Sequence, residues 1–278
     1  MADYEFTGDR EAFVKGVSGP DAWAAGRRHR EIITKLICRV GASQNESICV
    51  FGAGPCNDIE LNLISTIYSD VTLVDCDGAV LEQGVKDQLG EDHANVKLLG
   101  GVDLFGASQR LKQYKDSNDD SLIGQILVDV AEHKPQRLET YDCVASTCML
   151  SQLLCEASEA IQKRHVRFVD VLIAIRLRHI QIMFDALKPG GHGILVTDIV
   201  SSESLPDLLN ETDLKATLQQ AIANQNFLHG LNPQMIVKVF QNESFADQLK
   251  SVRVSEPWRW VLPGRTYACF AIEFIKAA

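Results

Sequence analysis

The sequence predicts an α/β protein: a doubly wound, mostly parallel seven-stranded sheet with a C-terminal antiparallel strand pair and an N-terminal helical segment. Three observations predict it. The apolar run Ile48-Cys49-Val50-Phe51 breaks into Gly52-Ala53-Gly54-Pro55, and Asn57, Asp58 and Glu60 precede renewed apolar spacing. That order reads as a buried strand, a tight turn and a helix start. A second apolar run, Val71-Thr72-Leu73-Val74, closes on Asp75, an acidic residue at a strand tip. Strand-like and helix-like segments then alternate along the chain, which gives a parallel sheet covered on both faces with right-handed crossovers.

The chain divides at residue 46. Residues 1–46 form an N-terminal helical extension, and residues 47–278 form the sheet domain with insertions near 105–140 and 201–230. In the extension, residues 1–20 are mixed in character and end in Gly16-Val17-Ser18-Gly19-Pro20. Asp21 to Arg39 reads as one helix, capped by Asp21, with Trp23, Ile32, Ile33, Leu36 and Ile37 inward. Arg27, Arg28, His29 and Arg30 then make a solvated basic face.

The first strand leads through the glycine turn into a helix from Ile59 to Tyr68, with Leu61, Leu63, Ile64 and Ile67 inward. Glycine is required twice in that turn, for unusual backbone angles and for close approach of a ligand to the main chain. A diphosphate cradle has a third small residue three positions on. Asn57 stands there, so the turn suits a ligand with an adenosine and no phosphate. Asp75, at the tip of the second strand, is placed to accept hydrogen bonds from a ribose diol. Asp77-Gly78-Ala79 opens the next helix, and Asn95 to Leu99 is a short third strand. Residues 105–140 are polar and irregular around one apolar segment, Leu122 to Val130, part of which must be the crossover helix.

Tyr141 to Ser146 is the fourth strand. Gln152 to Leu187 is helical with a break at Lys163 to Arg167. Leu187-Lys188-Pro189-Gly190-Gly191 stops it, and Ile194 to Asp198 is the fifth strand. Short helices follow, from Ser204 and from Leu214 to Phe227. Val252–Leu262 and Thr266–Ile275 form the terminal pair, with Trp258 and Trp260 on one strand face, gating an acceptor or covering the sheet.

Composition narrows the partners. The formal net charge is −10, with 37 acidic and 27 basic residues, whereas nucleic-acid binders carry a basic face; no nucleic acid is expected. No apolar run approaches ~18 residues, so no membrane span is expected. The opening Met-Ala-Asp-Tyr-Glu-Phe lacks the basic-then-apolar order of an export signal. The eight cysteines include no Cys-x-x-Cys pair and no Cys/His set at zinc spacing. They read as reduced thiols in a cytoplasmic protein, with no metal site.

The turn from Gly52 to Asp58 with Val74-Asp75-Cys76-Asp77 resembles the class I S-adenosylmethionine-dependent methyltransferases. The Leu187 to Gly191 turn and the terminal strand pair resemble them too, and the resemblance runs from about residue 21 to residue 276. It implies S-adenosylmethionine as cofactor and S-adenosylhomocysteine as product, with cofactor contacts from Gly52, Ala53, Gly54, Asp75, Cys76, Asp103, Leu104 and Ser146. Asp103 matches the position that meets the adenine amino group. The helix before the first strand can fold over the site, with Arg27 or Arg30 covering the cofactor's carboxylate.

After the fourth strand this chain has Ser146-Thr147-Cys148-Met149 where amino-directed nucleic acid methyltransferases have Asn-Pro-Pro and an aromatic. That departure argues against such an enzyme and leaves the acceptor open; an unidentified small molecule is expected. Methyl transfer is by in-line displacement, with Asp142, Asp198, His29 and His192 as undifferentiated candidates for a base. Two alternatives stay open: a catalytically silent methyltransferase-like protein that binds cofactor or a partner, and an NAD-dependent oxidoreductase on a similar sheet.

Overall fold

The computed structural model describes residues 20–42, 46–91, 93–210, 212–241 and 243–278; the reading of residues 1–19 lies outside these. Five parallel strands make most of the sheet: β1 (Ser47–Phe51), β2 (Asp70–Asp75), β3 (Val96–Gly100), β4 (Tyr141–Thr147) and β5 (Leu187–Ser201). Three antiparallel strands complete it, β6 (Leu249–Val254), β7 (Trp258–Leu262) and β8 (Arg265–Lys276). The order is β3-β2-β1-β4-β5-β8-β6, with β7 also paired to β8. This is the doubly wound sheet with an antiparallel end that the sequence predicts, seven positions wide.

The outermost position holds two strands where the sequence reading has one. Pro257 has no N–H to give a ladder, and Ser255 takes over beside it. Its N–H donates to Ala271 O at 2.9 Å, and its Oγ accepts the Ala271 N–H at 2.9 Å. The edge therefore turns between β6 and β7.

Helices cover both faces. On one face lie α1 (Pro20–Ala25), α2 (Arg27–Gly41), α3 (Leu61–Ile67) and α4 (Gly78–Leu89). The expected single helix from Asp21 is thus two. Pro20 occupies the first helical position, which suits proline, and Asp21 lies inside the first turn rather than capping it. Helix α3 starts two residues later than expected, because Cys56 N–H and Ile59 N–H close further turns on Ala53 O and Cys56 O. Leu61 and Ile64 are buried, but Leu63 (54%) and Ile67 (38%) are exposed. Two turns of helix give one buried stripe, and these two residues fall outside it.

On the other face lie α5 (Ser108–Ser117), α6 (Ser121–Glu132), α7 (Met149–Ala160), α8 (Phe168–Asp185), α9 (Leu214–Ala223) and α10 (Pro233–Phe240). The stretch read as irregular holds two helices. Asn118, at φ 52°, turns the chain between them, and Leu111, Tyr114, Ile123, Ile126 and Val130 are buried. Helix α10 is absent from the sequence reading; Asn232 caps it through Oδ1, which accepts from Gln234 and Met235 N–H at 2.9 and 3.4 Å.

The amino edge of the sheet is clasped by polar groups. Asp142 Oδ2 accepts from Ser47 N–H (2.9 Å) and Ser47 Oγ (2.7 Å), and Lys188 Nζ lies 3.0 Å from both carboxylate oxygens. Burial works against the charge, but Ser47 and Lys188 outweigh it and hold the Asp142 carboxyl below its ordinary range. Further along β5, Gly193 is a packing requirement: a Cβ there would fall 2.1 Å from the Phe274 ring. Gly193→Ala is expected to lower unfolding free energy by about 2 kcal/mol through overpacking, measured by urea denaturation. Among the described residues no helix is long and apolar enough to cross a membrane.

Candidate functional site

The carboxyl ends of β1, β2 and β3 meet around Asp75. Gly52 (φ +68°) and Gly54 (φ +47°) both take left-handed angles, which residues with a Cβ avoid. These angles fold the turn across the end of β2, where Gly52 N–H and Ala53 N–H donate to Val74 O at 2.9 and 3.2 Å. Gly54 N–H then donates to Asp75 Oδ2 at 2.9 Å, and Asp77 N–H to Asp75 Oδ1 at 2.9 Å. An ionised carboxylate offers about four acceptor positions, so both oxygens keep capacity for a ligand's hydroxyls.

The two glycines differ in what they face. A Cβ on Gly54 would meet only Asp75 Oδ2, at 3.8 Å, so its peptide borders open space. A Cβ on Gly52 would lie 2.8 Å from Met149 Sδ; the first residue of α7 covers it. Helix α4 backs the turn. A Cβ on Gly84 would fall 2.4 Å from the Pro55 carbonyl carbon. Gln88 Nε2 donates to Cys56 O and Ile59 O at 2.7 and 3.1 Å, and Gln88 Oε1 accepts from Leu61 N–H at 2.8 Å.

The other expected cofactor residues divide. Cys76 is exposed beside Asp75, Ala53 is buried in the turn, and Asp103 is partly exposed after β3. Asp103 Oδ1 accepts from Phe105 and Gly106 N–H at 2.8 and 2.9 Å, and His133 Nε2 lies 2.6 Å from Asp103 O. The chain is thereby tied back at the sheet edge. Leu104 and Ser146 instead point inward. Leu104 is 2% exposed and packs in the core. Ser146 is buried, with Oγ 2.8 Å from His179 Nε2 on α8, so neither side chain reaches the edge.

A second polar cluster occupies the carboxyl ends of β4 and β5. Helix α2 lies over it. Arg30 is buried, donating to Glu60 Oε1 at 2.5 Å and Trp23 O at 2.9 Å, with its guanidinium 3.4 Å from the Trp23 ring centroid. Thr34 Oγ1 accepts the Glu60 N–H at 2.8 Å. Arg27 is exposed and donates to Glu31 at 2.7 Å. Each arginine thus already pairs with a carboxylate of this chain, Arg27 with Glu31 and Arg30 with Glu60. Arg27→Ala is expected to leave adenosyl-ligand affinity unchanged. Arg30→Ala is expected to weaken it several-fold by loosening Glu60 and the turn, both read by calorimetric titration.

His29, 1% exposed, stacks on Trp260 at 4.4 Å and accepts a hydrogen bond at Nδ1 from Trp258 Nε1, 3.0 Å away. Its Nε2 is 3.4 Å from Asp58 Oδ1. Burial opposes charge on the ring, while Asp58 and Cys148 outweigh it and raise the pKa to about 9. A protonated Nδ1 has no lone pair to accept from Trp258, so that bond belongs to the neutral Nε2–H ring and is given up when the ring charges below about pH 9.

Cys148 lies beside Cys269 and His29 and holds φ 52° at the end of β4, backbone strain of the kind that gathers at functional sites. Asp198, 4% exposed on β5, lies beside Ser151, whose hydroxyl donates to Cys148 O at 2.9 Å, and burial pushes its pKa up to about 6.

Position separates the four base candidates. Asp142 is in the amino-edge clasp, and His192 pairs with Cys143 near the start of β4. His29 and Asp198 are at the carboxyl edge. The sequence reading missed that His29 and Arg30 are buried, although the signal was there: His29 shares a helical face with Ile33 and Ile37 at four-residue spacing. Trp258 and Trp260 are buried against His29 and so cover the sheet. Among the described residues no group of His, Cys, Asp or Glu is arranged to hold a metal ion.

No protein-family model matches the sequence, and no curated protein does. Solved structures do. The N-methyltransferase NodS from Bradyrhizobium japonicum WM9, in complex with S-adenosyl-L-homocysteine, is similar at TM-score 0.50 and 9% identity, over 96% of this chain and 98% of that one. Magnesium protoporphyrin IX methyltransferase from Synechocystis PCC 6803 is similar at TM-score 0.49 and 10% identity, over 96% and 94%. At 9% identity the likeness to NodS establishes the fold. The Rossmann-like class I methyltransferase fold read from the glycine turn and strand order is the fold of this chain.

Proposed function

We propose that this chain is a class I S-adenosylmethionine-dependent methyltransferase acting on a small-molecule acceptor. The observation that carries the reading is the Asp75 carboxylate, clamped by Gly54 and Asp77 N–H groups beside a peptide that borders open space. That arrangement fits an adenosyl ligand: a carboxylate for the ribose diol, and a bare main chain that a side chain would close. NodS carries S-adenosyl-L-homocysteine on the same fold, which supports extending the ligand to this chain.

In this reading Asp75 holds the ribose hydroxyls, Gly54 and Ala53 present main chain to the amino-acid end, and Asp103 and Cys76 border the base. The cofactor supplies an electrophilic methyl group on a sulfonium, so the hard chemistry is its own. The chain's part is alignment, which can be worth ~7–11 kcal/mol when the reacting atoms are held in line. The excess of 37 acidic over 27 basic residues supports a small acceptor over a polyanion.

Calorimetric titration with S-adenosylmethionine, S-adenosylhomocysteine and NAD tests this. Binding of the first two, without NAD, is expected; NAD binding alone would replace methyl transfer with redox chemistry. A second reading, a silent cofactor-binding protein, draws on Met149 over Gly52 and on helix α2 packed over the β4 and β5 ends. Ligand binding with no loss of the methyl group to any small-molecule acceptor would favour it.

A further inference from the structure

Asp198 is a buried carboxylate that the fold does not need. Asp142 has Lys188, and Arg30 has Glu60, but Asp198 has no salt-bridge partner among the described residues, and its Oδ1 lacks any hydrogen bond. A charge buried without a partner is costly and persists where it serves something else. The sheet aims it: the β5–β8 register shifts between Asp198 and Val200, and bulges of this kind re-aim side chains beside active sites. Asp198 lies on the same face of β5 as Val196, whose carbonyl accepts from Cys148 N–H at 3.0 Å. Both residues are therefore at the carboxyl edge.

The strand order gives that edge its meaning. A ligand held by Asp75 and Asp103 at β2 and β3 would cross the β1 turn and end above β4 and β5, since these follow in the order β3-β2-β1-β4-β5. We infer that Asp198 is the proton-accepting residue of the methyl-transfer step, and that the acceptor is a neutral compound attacking through an N–H or O–H. This rests on the methyltransferase reading above.

As the acceptor's nitrogen or oxygen bonds to the methyl carbon, the carbon–sulfur bond breaks and its electron pair stays on sulfur, leaving S-adenosylhomocysteine. The acceptor's proton passes to Asp198 Oδ1, and the N–H or O–H pair stays on the acceptor. His29 is not that group: in the neutral ring Trp258 holds its Nδ1 lone pair, and with a pKa raised to about 9 the ring already carries its proton near neutrality. The groups facing Asp198 are Ser151 and Cys155 from α7, His29 from α2, Asp58 from the glycine turn and Cys269 from β8. Burial, with Asp58 adding to it, raises its pKa against Ser151 and His29, which suits a proton acceptor working near neutrality.

The test needs no acceptor. Protein labelled with carboxyl-13C aspartate is titrated by NMR with saturating S-adenosylhomocysteine or S-adenosylmethionine, the Asp198 signal being assigned by its absence in Asp198→Asn or, should that not fold, Asp198→Ser. The two ligands differ by a methyl group and one positive charge at sulfur. The midpoint of Asp198 is expected to fall by about one pH unit or more with the sulfonium, given unit charges some ångströms apart. Coincident midpoints with both ligands bound overturn the proposal and leave the methyltransferase reading standing. Failure of both ligands to bind overturns both. With any N–H or O–H compound that the wild type methylates from tritiated cofactor, Asp198→Asn should lower kcat about a hundredfold or more at saturating cofactor. Equal kcat, or methylation confined to thiolates and carboxylates, which release no proton, would also overturn it.

Discussion

Asp75→Ala is expected to erase the stabilisation that an adenosyl ligand confers. A ligand that binds only the folded state adds ~2.7 kcal/mol at a hundred times its dissociation constant, and that increment should vanish in the variant. The alanine removes the ribose acceptor and also frees the Gly54 and Asp77 N–H groups it clamps, so the turn loses its shape with its ligand. Asp77→Ala is the control. Asp77 Oδ1 caps α4 by accepting from Ala79 and Val80 N–H at 3.0 and 3.1 Å. Its loss should cost about 1 kcal/mol of intrinsic stability and leave the ligand increment intact. Urea unfolding with and without S-adenosylhomocysteine measures both quantities. If the two variants lose the same increment, Asp75 is not the ribose partner.

Asp198→Asn should make the protein more stable at pH 8. In the unfolded chain this carboxyl ionises near its ordinary value of 3.8, while burial holds it protonated to about pH 6 in the fold. Between these values the folded state binds more protons, so stability falls as pH rises from about 4 to 6 and stays reduced above. The difference amounts to about 3 kcal/mol at high pH, less whatever the amide fails to satisfy. Unfolding at pH 4 and pH 8 should show the variant's advantage only at the higher pH. An advantage of equal size at both would trace to packing rather than charge.

The parts of the molecule that were legible beforehand are those written locally. The Ile48 to Phe51 run, the paired glycines and Asp75 each declare themselves within a few residues, and they became β1, the turn and the tip of β2. The Leu187 to Gly191 turn was equally plain, although β5 begins inside it. Faces of helices were less legible. Arg27 and Arg28 are exposed as a charged run suggests, but the run hid His29 and Arg30, which tertiary partners bury. In α3, apolar identity alone placed Leu63 and Ile67 inside.

The β4–β5 cluster was illegible for a different reason. His29, Asp58, Cys148, Asp198 and Cys269 come from separate elements, and no spacing links them until the sheet brings their ends together. Ser146 and Leu104 show the converse. Each stands at a chain position where the resemblance implies a cofactor contact, but strand and loop geometry turn its side chain inward.

The divided rim of the sheet bears on how copies of this protein meet in solution. An outer strand with free N–H and C=O groups invites another chain to add itself, and Val252 and Val254 are partly bare there. By turning at Ser255 and Pro257, the chain offers only two short and differently directed stretches, the first bearing Lys250 and Arg253. Repulsion between these cations and the lack of a straight template work against fibre-like stacking.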